Sequence, residues 1–208
     1  MDKATRAFHS LYYSDPERTW QSTRWMGIPA YKCPMDMWIY QEIIFETRPD
    51  VIIECGTHTG GSALFMANIC DLVGKGRVLT VDIASYLGQP IHPRIEYLHG
   101  SSVEPSVVEL IKSKVPPSKR TMVVLDSEHS MTHVLAEMRS YAPLVTPGCY
   151  MIVEDTNVNG NPVLPKHGPG PAEAVRAFLA EDKVFVVDQT REKLLMTFNP
   201  GGYLKRIG

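Results

Sequence analysis

Residues 51–62 read VIIECGTHTGGS, and this stretch decides the fold. Val51-Ile52-Ile53 is a β-branched apolar run of the kind that forms a buried parallel strand. An acid, three glycines and small hydroxyl residues follow at once, and Ala63-Leu64-Phe65-Met66-Ala67 begins a helical pattern. Strand, glycine turn and helix in that order aim backbone N–H groups at a ligand above the carboxyl edge of a sheet.

Outward from that turn the pattern repeats. Pro34 opens a helix with Met37, Ile39, Tyr40, Ile43, Ile44 and Phe45 as its apolar positions, and Arg48-Pro49 ends it. Downstream, Val78–Val81 ends in Asp82, Arg94–His99 alternates as a third strand before a helix from Val103 to Ser113, and Met122–Leu125 ends in Asp126. A helix around Met131–Ser140 leads to a fifth strand, Tyr150–Val153, which ends in Glu154-Asp155. The Gly-, Pro- and Asn-rich stretch from Val158 to Pro171 reads as a long loop and candidate lid, followed by a helix from Ala172 to Glu181. Val184–Val187 and Leu194–Phe198 read as a closing strand pair. Residues 1–34 are aromatic but irregular and suit an arm laid across the site or a neighbouring subunit, or packed on its own domain; residues 35–208 form the domain proper.

The 208 residues suffice for one α/β domain with a full core. A formal net charge of -2 gives no broad attraction for nucleic acid or an anionic membrane, and Lys112, Lys114, Lys119 and Arg120 read as a solvated loop. Four cysteines with no CxxC or Cys/His zinc spacing imply reduced thiols. No apolar run reaches membrane-spanning length, so the expectation is a soluble cytoplasmic protein with a small-molecule substrate.

Chemistry gathers at the strand ends Glu54, Asp82, His99, Asp126 and Glu154-Asp155, where open α/β sheets bind ligands. Gly56, Gly60 and Gly61 are spaced GxxxGG, without the GxGxxG pattern or the lysine of a phosphate loop, which argues against a nucleoside triphosphate. A nucleoside with a less anionic tail fits better, with Glu54 and Gly56 near its tail and Asp82 on ribose hydroxyls; a helix N-cap is the alternative for Asp82. Asp126, Glu154 and Asp155 converge from neighbouring strands, which suits a hard cation such as Mg²⁺, Ca²⁺ or Mn²⁺ or, alternatively, helix capping. His129, three residues past Asp126, is a candidate base or a structural histidine.

The segments RPDVIIECGTHTGGSALFMA, VLTVDI, VVLDSEHS, PGCYMIVEDTN and GPGPAEAVRAFL resemble class I S-adenosylmethionine-dependent methyltransferases of the cephalosporin-hydroxylase type, close to macrolide-sugar and rhamnosyl O-methyltransferases. The resemblance implies a Rossmann-like fold: a seven-stranded, mostly parallel sheet with an antiparallel terminal strand and helices on both faces. It implies that Glu54, Gly56, Thr57, Gly60, Gly61, Ser62 and Asp82 hold the cofactor, with Asp126 beside it and Ser102 near the adenine. It further implies that Asp126, Glu154 and Asp155 ligate Mg²⁺ while His129 takes the proton. The expected activity is O-methylation of a hydroxyl on a small natural product or sugar. An N-methyltransferase acting on an amino sugar, or a non-catalytic cofactor-binding partner in a biosynthetic pathway, are the alternatives. The aromatic arm makes a homo-oligomer the expected assembly.

Overall fold

A computed structural model describes residues 2–17 and 19–208; Met1 and Arg18, which fall within the expected arm, lie outside the described residues. The chain begins with helix α1 (Lys3–Tyr13), so the arm is more regular than its composition suggested. Asp2 caps it by accepting a hydrogen bond from the Thr5 amide at 2.9 Å. A short hairpin follows, β1 (Arg24–Trp25) and β2 (Ile28–Pro29), turning through Met26 and Gly27 at φ of 49° and 86°. Helix α2 (Pro34–Thr47) starts on its proline and stops at Arg48, whose backbone turns left-handed ahead of Pro49.

The remaining elements are β3 (Val51–Cys55), α3 (Gly61–Val73), β4 (Arg77–Asp82), β5 (Ile95–His99), α4 (Pro105–Ser113), β6 (Thr121–Leu125), α5 (Met131–Tyr141), β7 (Tyr150–Val153), α6 (Pro171–Glu181), β8 (Phe185–Val187) and β9 (Tyr203–Arg206). Seven strands form one sheet in the order β5-β4-β3-β6-β7-β9-β8. β5 to β7 run parallel, and β9 inserts antiparallel between β7 and β8. Every residue of β3 and β6 is buried, which requires cover on both faces and explains their unbroken apolar reading. The expected sheet is therefore present, antiparallel terminal strand included.

Two expectations differ from the structure. Leu194–Phe198 is not a strand, and β9 is formed instead by Tyr203–Arg206. Met196 and Phe198 are apolar because they pack under Cys33, Tyr12, Tyr13 and Trp20, not because they pair in a sheet. The Val158–Pro171 stretch, expected as a lid, does not line the main cavity; Gly160, Asn161 and Pro162 border a separate shallow depression with Arg6 and Arg176.

The strand order places the topological switch between β3 and β6, where β3 connects out to β4 and β6 connects the other way to β7. A ligand crevice forms at such a switch because neighbouring connections diverge there.

Candidate functional site

At the switch point β3 runs into the glycine turn. Glu54, fully buried, accepts hydrogen bonds from Ser62 Oγ at 2.5 Å and Thr80 Oγ1 at 2.7 Å, clamping the start of α3 to β4. Burial raises its carboxyl pKa to about 7 despite the nearby Lys32 charge. Gly56, at φ 98°, touches the next strand: an added Cβ would lie 1.9 Å from the Asp126 carbonyl oxygen. At Gly61 a Cβ would lie 2.1 Å from the Pro29 carbonyl oxygen, so the hairpin β1–β2 seats directly on the start of α3. Trp25 fixes that seat, donating to Asn68 Oδ1 at 2.8 Å and packing edge-on against Phe65.

Asp82 is engaged by backbone amides. One carboxylate oxygen accepts from the amides of Thr57 (3.0 Å) and His58 (2.8 Å), and the other accepts from the Ala84 amide (2.9 Å). It thus ties the glycine turn to the end of β4 while lining the cavity. Thr57 braces the same turn through a 2.6 Å contact with Thr80. Ser102 lines the cavity beyond β5 and donates to Glu137 Oε1 at 2.5 Å, as Ser127 does at 2.6 Å. Glu137 is fully buried and its Oε2 has no hydrogen-bond partner among the described residues.

The acids collect on the other side of the switch. The parallel ladder continues one residue past each strand, Asp126 N donating to Cys55 O (2.8 Å) and Glu154 N to Leu125 O (2.9 Å), which brings both acids to the same edge. Asp155 follows in a left-handed conformation, φ 53°, with its amide donating to Asn199 Oδ1 at 3.1 Å. His129 lies between two carboxylates, Nε2 at 3.3 Å from Asp126 Oδ1 and Nδ1 at 3.4 Å from Asp155 Oδ2. One ligand atom each from Asp126, His129 and Asp155 falls within 4.8 Å of the others, a spacing that fits a hard divalent ion. Glu154 points elsewhere: its Oε1 accepts from Tyr40 OH at 2.6 Å and from Lys32 Nζ at 2.5 Å, and Lys32 also pairs with Asp126.

These charges set each other's protonation. Burial lowers the pKa of His129, but its hydrogen bond to Asp126 and the charges of Asp155 and Asp126 outweigh that and raise it to about 9. Burial and the Asp126 charge push Glu154 up to about 8, while Lys32 and His129 hold Asp126 below the usual carboxylate range against its own burial. Burial works to lower the pKa of Lys32, yet Asp126 and Glu154 keep it charged.

Both halves face one cavity of about 580 Å³. Tyr31, His58 and Tyr86 stand in ring contact at one part of its wall, with centroids 5.0 and 4.6 Å apart. Tyr13 and Trp20, stacked at 5.4 Å, line it together with Asp155. The arm therefore supplies cavity wall, and Lys32 and Tyr40 donate into the acid cluster. The sequence marked neither Lys32 nor Tyr40 for the site.

The strand order, the glycine turn at the switch and the cavity above it define a class I methyltransferase fold. Residues 17–207 match the family described as rhamnosyl O-methyltransferase/CmcI. The chain belongs to that family and is a methyltransferase. It is 41% identical over 216 residues to a rhamnosyl O-methyltransferase of Mycobacterium bovis (strain BCG / Pasteur 1173P2), covering 99% of this chain and 86% of that protein. It is equally similar, 41% over 213 residues, to the rhamnosyl O-methyltransferase of Mycobacterium leprae (strain TN), covering 99% and 91%. A solved structure of CmcI described as a Mg-SAM form shares the fold at 19% identity, with a TM-score of 0.67 over 90% of this chain and 78% of that one.

Proposed function

We propose that the chain transfers the methyl group of S-adenosylmethionine to a hydroxyl of a rhamnosyl or related sugar, assisted by Mg²⁺. The observation that carries this reading is the position of His129, held between Asp126 and Asp155 on the wall of a cavity whose other side is the glycine turn. Relatives at 41% identity over nearly the whole chain are named for a rhamnosyl acceptor, and the CmcI structure carries Mg and SAM in its description.

Gly56, Gly60, Gly61 and Ser62 form the cradle, whose tight turn the glycines permit because a Cβ at each would run into the Asp126 carbonyl, Tyr97 or the Pro29 carbonyl. Asp82 and Thr57 hold the cradle's shape, and Ser102, positioned by Glu137, faces the nucleobase end. Asp126 and Asp155 are the first cation ligands, with Glu154 beside them under the hold of Lys32 and Tyr40. S-adenosylmethionine supplies the methyl group on a sulfonium leaving group. A divalent cation supplies Lewis acidity toward the sugar hydroxyl and offsets the carboxylate charge that keeps His129 protonated. With these groups bound, His129 would accept the proton that the acceptor hydroxyl releases on methylation. Tyr13 and Trp20 offer a stacked aromatic wall for the apolar face of the sugar. No helix among the described residues is long and apolar enough to cross a membrane.

Incubation with labelled S-adenosylmethionine, Mg²⁺ and a panel of rhamnosides tests the reading. Label should appear on a sugar oxygen by fragmentation mass spectrometry and be lost with EDTA. Label on nitrogen, or none on any sugar, rejects it.

A further inference from the structure

Lys32 stands apart from the chain's other lysines: it is buried, 3% exposed, and its ammonium faces carboxylates from two different strands. Its position is built rather than incidental. The hairpin β1–β2 is seated on α3 through Trp25 and the Gly61 contact, and α2 begins at Pro34, so the short segment between them has little freedom. Cys33, next to it, is buried under Phe198 and Met196. The same helix α2 delivers Tyr40 to the oxygen of Glu154 that Lys32 occupies.

Three carboxylates, Asp126, Glu154 and Asp155, share this corner with two basic groups, Lys32 and His129. A buried ammonium is costly unless carboxylates compensate it, and the compensation runs both ways, since acids packed this closely need positive charge among them. A divalent ion entering the cluster draws on the same oxygens. Asp126 cannot give its full charge to an ion while it also balances Lys32, and Glu154 Oε1 already has two donors.

We propose that Lys32 is a resident counter-cation of the carboxylate cluster, competing with the divalent ion for Asp126 and Glu154 and so weakening the ion's affinity. The inference rests on the divalent-ion reading above but concerns a residue of the N-terminal segment to which that reading gives no part of its own. The cluster keeps its shape through Lys32 when no ion is bound.

The test is Mn²⁺ binding to the purified chain, followed by calorimetry and electron paramagnetic resonance without cofactor or acceptor. Lys32→Met and Lys32→Gln should each bind Mn²⁺ at least about tenfold more tightly than the natural chain, because a competing charge has gone. In EDTA both variants should melt below the natural chain, and Mg²⁺ should raise their melting temperature more than it raises that of the natural chain. Lys193→Met, which removes a surface cation paired with Glu42, should leave Mn²⁺ affinity unchanged. Unchanged or weaker Mn²⁺ binding by the Lys32 variants, with ordinary binding by the natural chain, overturns this inference alone. A purely structural role would give that result together with a lower melting temperature. Absence of Mn²⁺ binding in all the proteins overturns the divalent-ion reading as well. Failure of both variants to fold even in excess Mg²⁺ also overturns the inference, since the added ion should replace the missing charge.

Discussion

Gly56 and Asp126 meet backbone to backbone across the switch point, so close that a Cβ on the glycine would fall 1.9 Å from the carbonyl oxygen of the acid. The cradle and the acid cluster are thereby one rigid unit. Gly56→Ala has to separate them and also force an alanine to φ 98°. The expected result is a loss of about 3 kcal/mol or more in stability, read by urea denaturation, with S-adenosylhomocysteine binding lost in whatever folds. Native-like stability and affinity would show that the contact yields more easily than the geometry says.

His129→Gln removes the proposed base but keeps a side chain able to hydrogen-bond to Asp126 and Asp155. Turnover should fall by about 10²- to 10⁴-fold. Calorimetric affinity for S-adenosylhomocysteine should stay close to that of the natural chain, because His129 belongs to the acid side of the cavity. A turnover within a few-fold of normal would remove His129 from the chemistry.

His9 carries a pH signature away from the site. It is fully buried, stacked on Phe198 at 5.5 Å, and burial lowers its pKa to about 4 from an ordinary 6.5. Its folded-state pKa is depressed, so its neutral form favours folding above pH 6.5 and that contribution is lost as pH falls toward 4. Between pH 7 and pH 5 the loss should be about 2 kcal/mol by linkage. His9→Gln, able to keep the contact with Asn157 seen at 3.0 Å, should flatten this part of the stability–pH curve. A curve that stays parallel to that of the natural chain would assign the acid sensitivity to other groups.

Phe198 gathers His9, Tyr12, Tyr13 and Trp20 around one ring, with centroid distances between 5.4 and 6.1 Å. Phe198→Ala should cost about 3–5 kcal/mol. The damage should be local: hydrogen exchange of residues 3–13 should quicken more than that of β3 or β6. The Michaelis constant for the acceptor should rise more than that for the cofactor, since Tyr13 and Trp20 line the cavity beside Asp155. Uniform exchange throughout the chain would argue against an independently held wall.

The sheet was legible because buried parallel strands write themselves as short apolar runs, and Val51–Cys55, Thr121–Leu125 and Tyr150–Val153 obey that rule. The strand ends were legible too, since an acid after such a run marks the carboxyl edge. Long-range partnership was not. Leu194–Phe198 has a strand's composition, and only the distant residues packed on it show why it is apolar. Lys32 reads as a surface lysine until Asp126 and Glu154, about a hundred residues further on, are folded against it. Asp82 shows a subtler gap: the sequence marked the residue, while its engagement with three backbone amides depends on how the glycine turn closes.

Asp36, near the start of α2, is buried with its carboxylate accepting from the Phe198 amide at 2.8 Å and Tyr203 OH at 2.7 Å, and from Thr197. Its own environment and the ring on which Tyr13 and Trp20 rest are thus supplied by residues synthesised some 160 positions later. A chain still emerging from the ribosome can assemble most of the parallel sheet, yet it has no floor for the wall beside Asp155. The wall formed by Tyr13 and Trp20 is therefore closed after the glycine turn that follows β3.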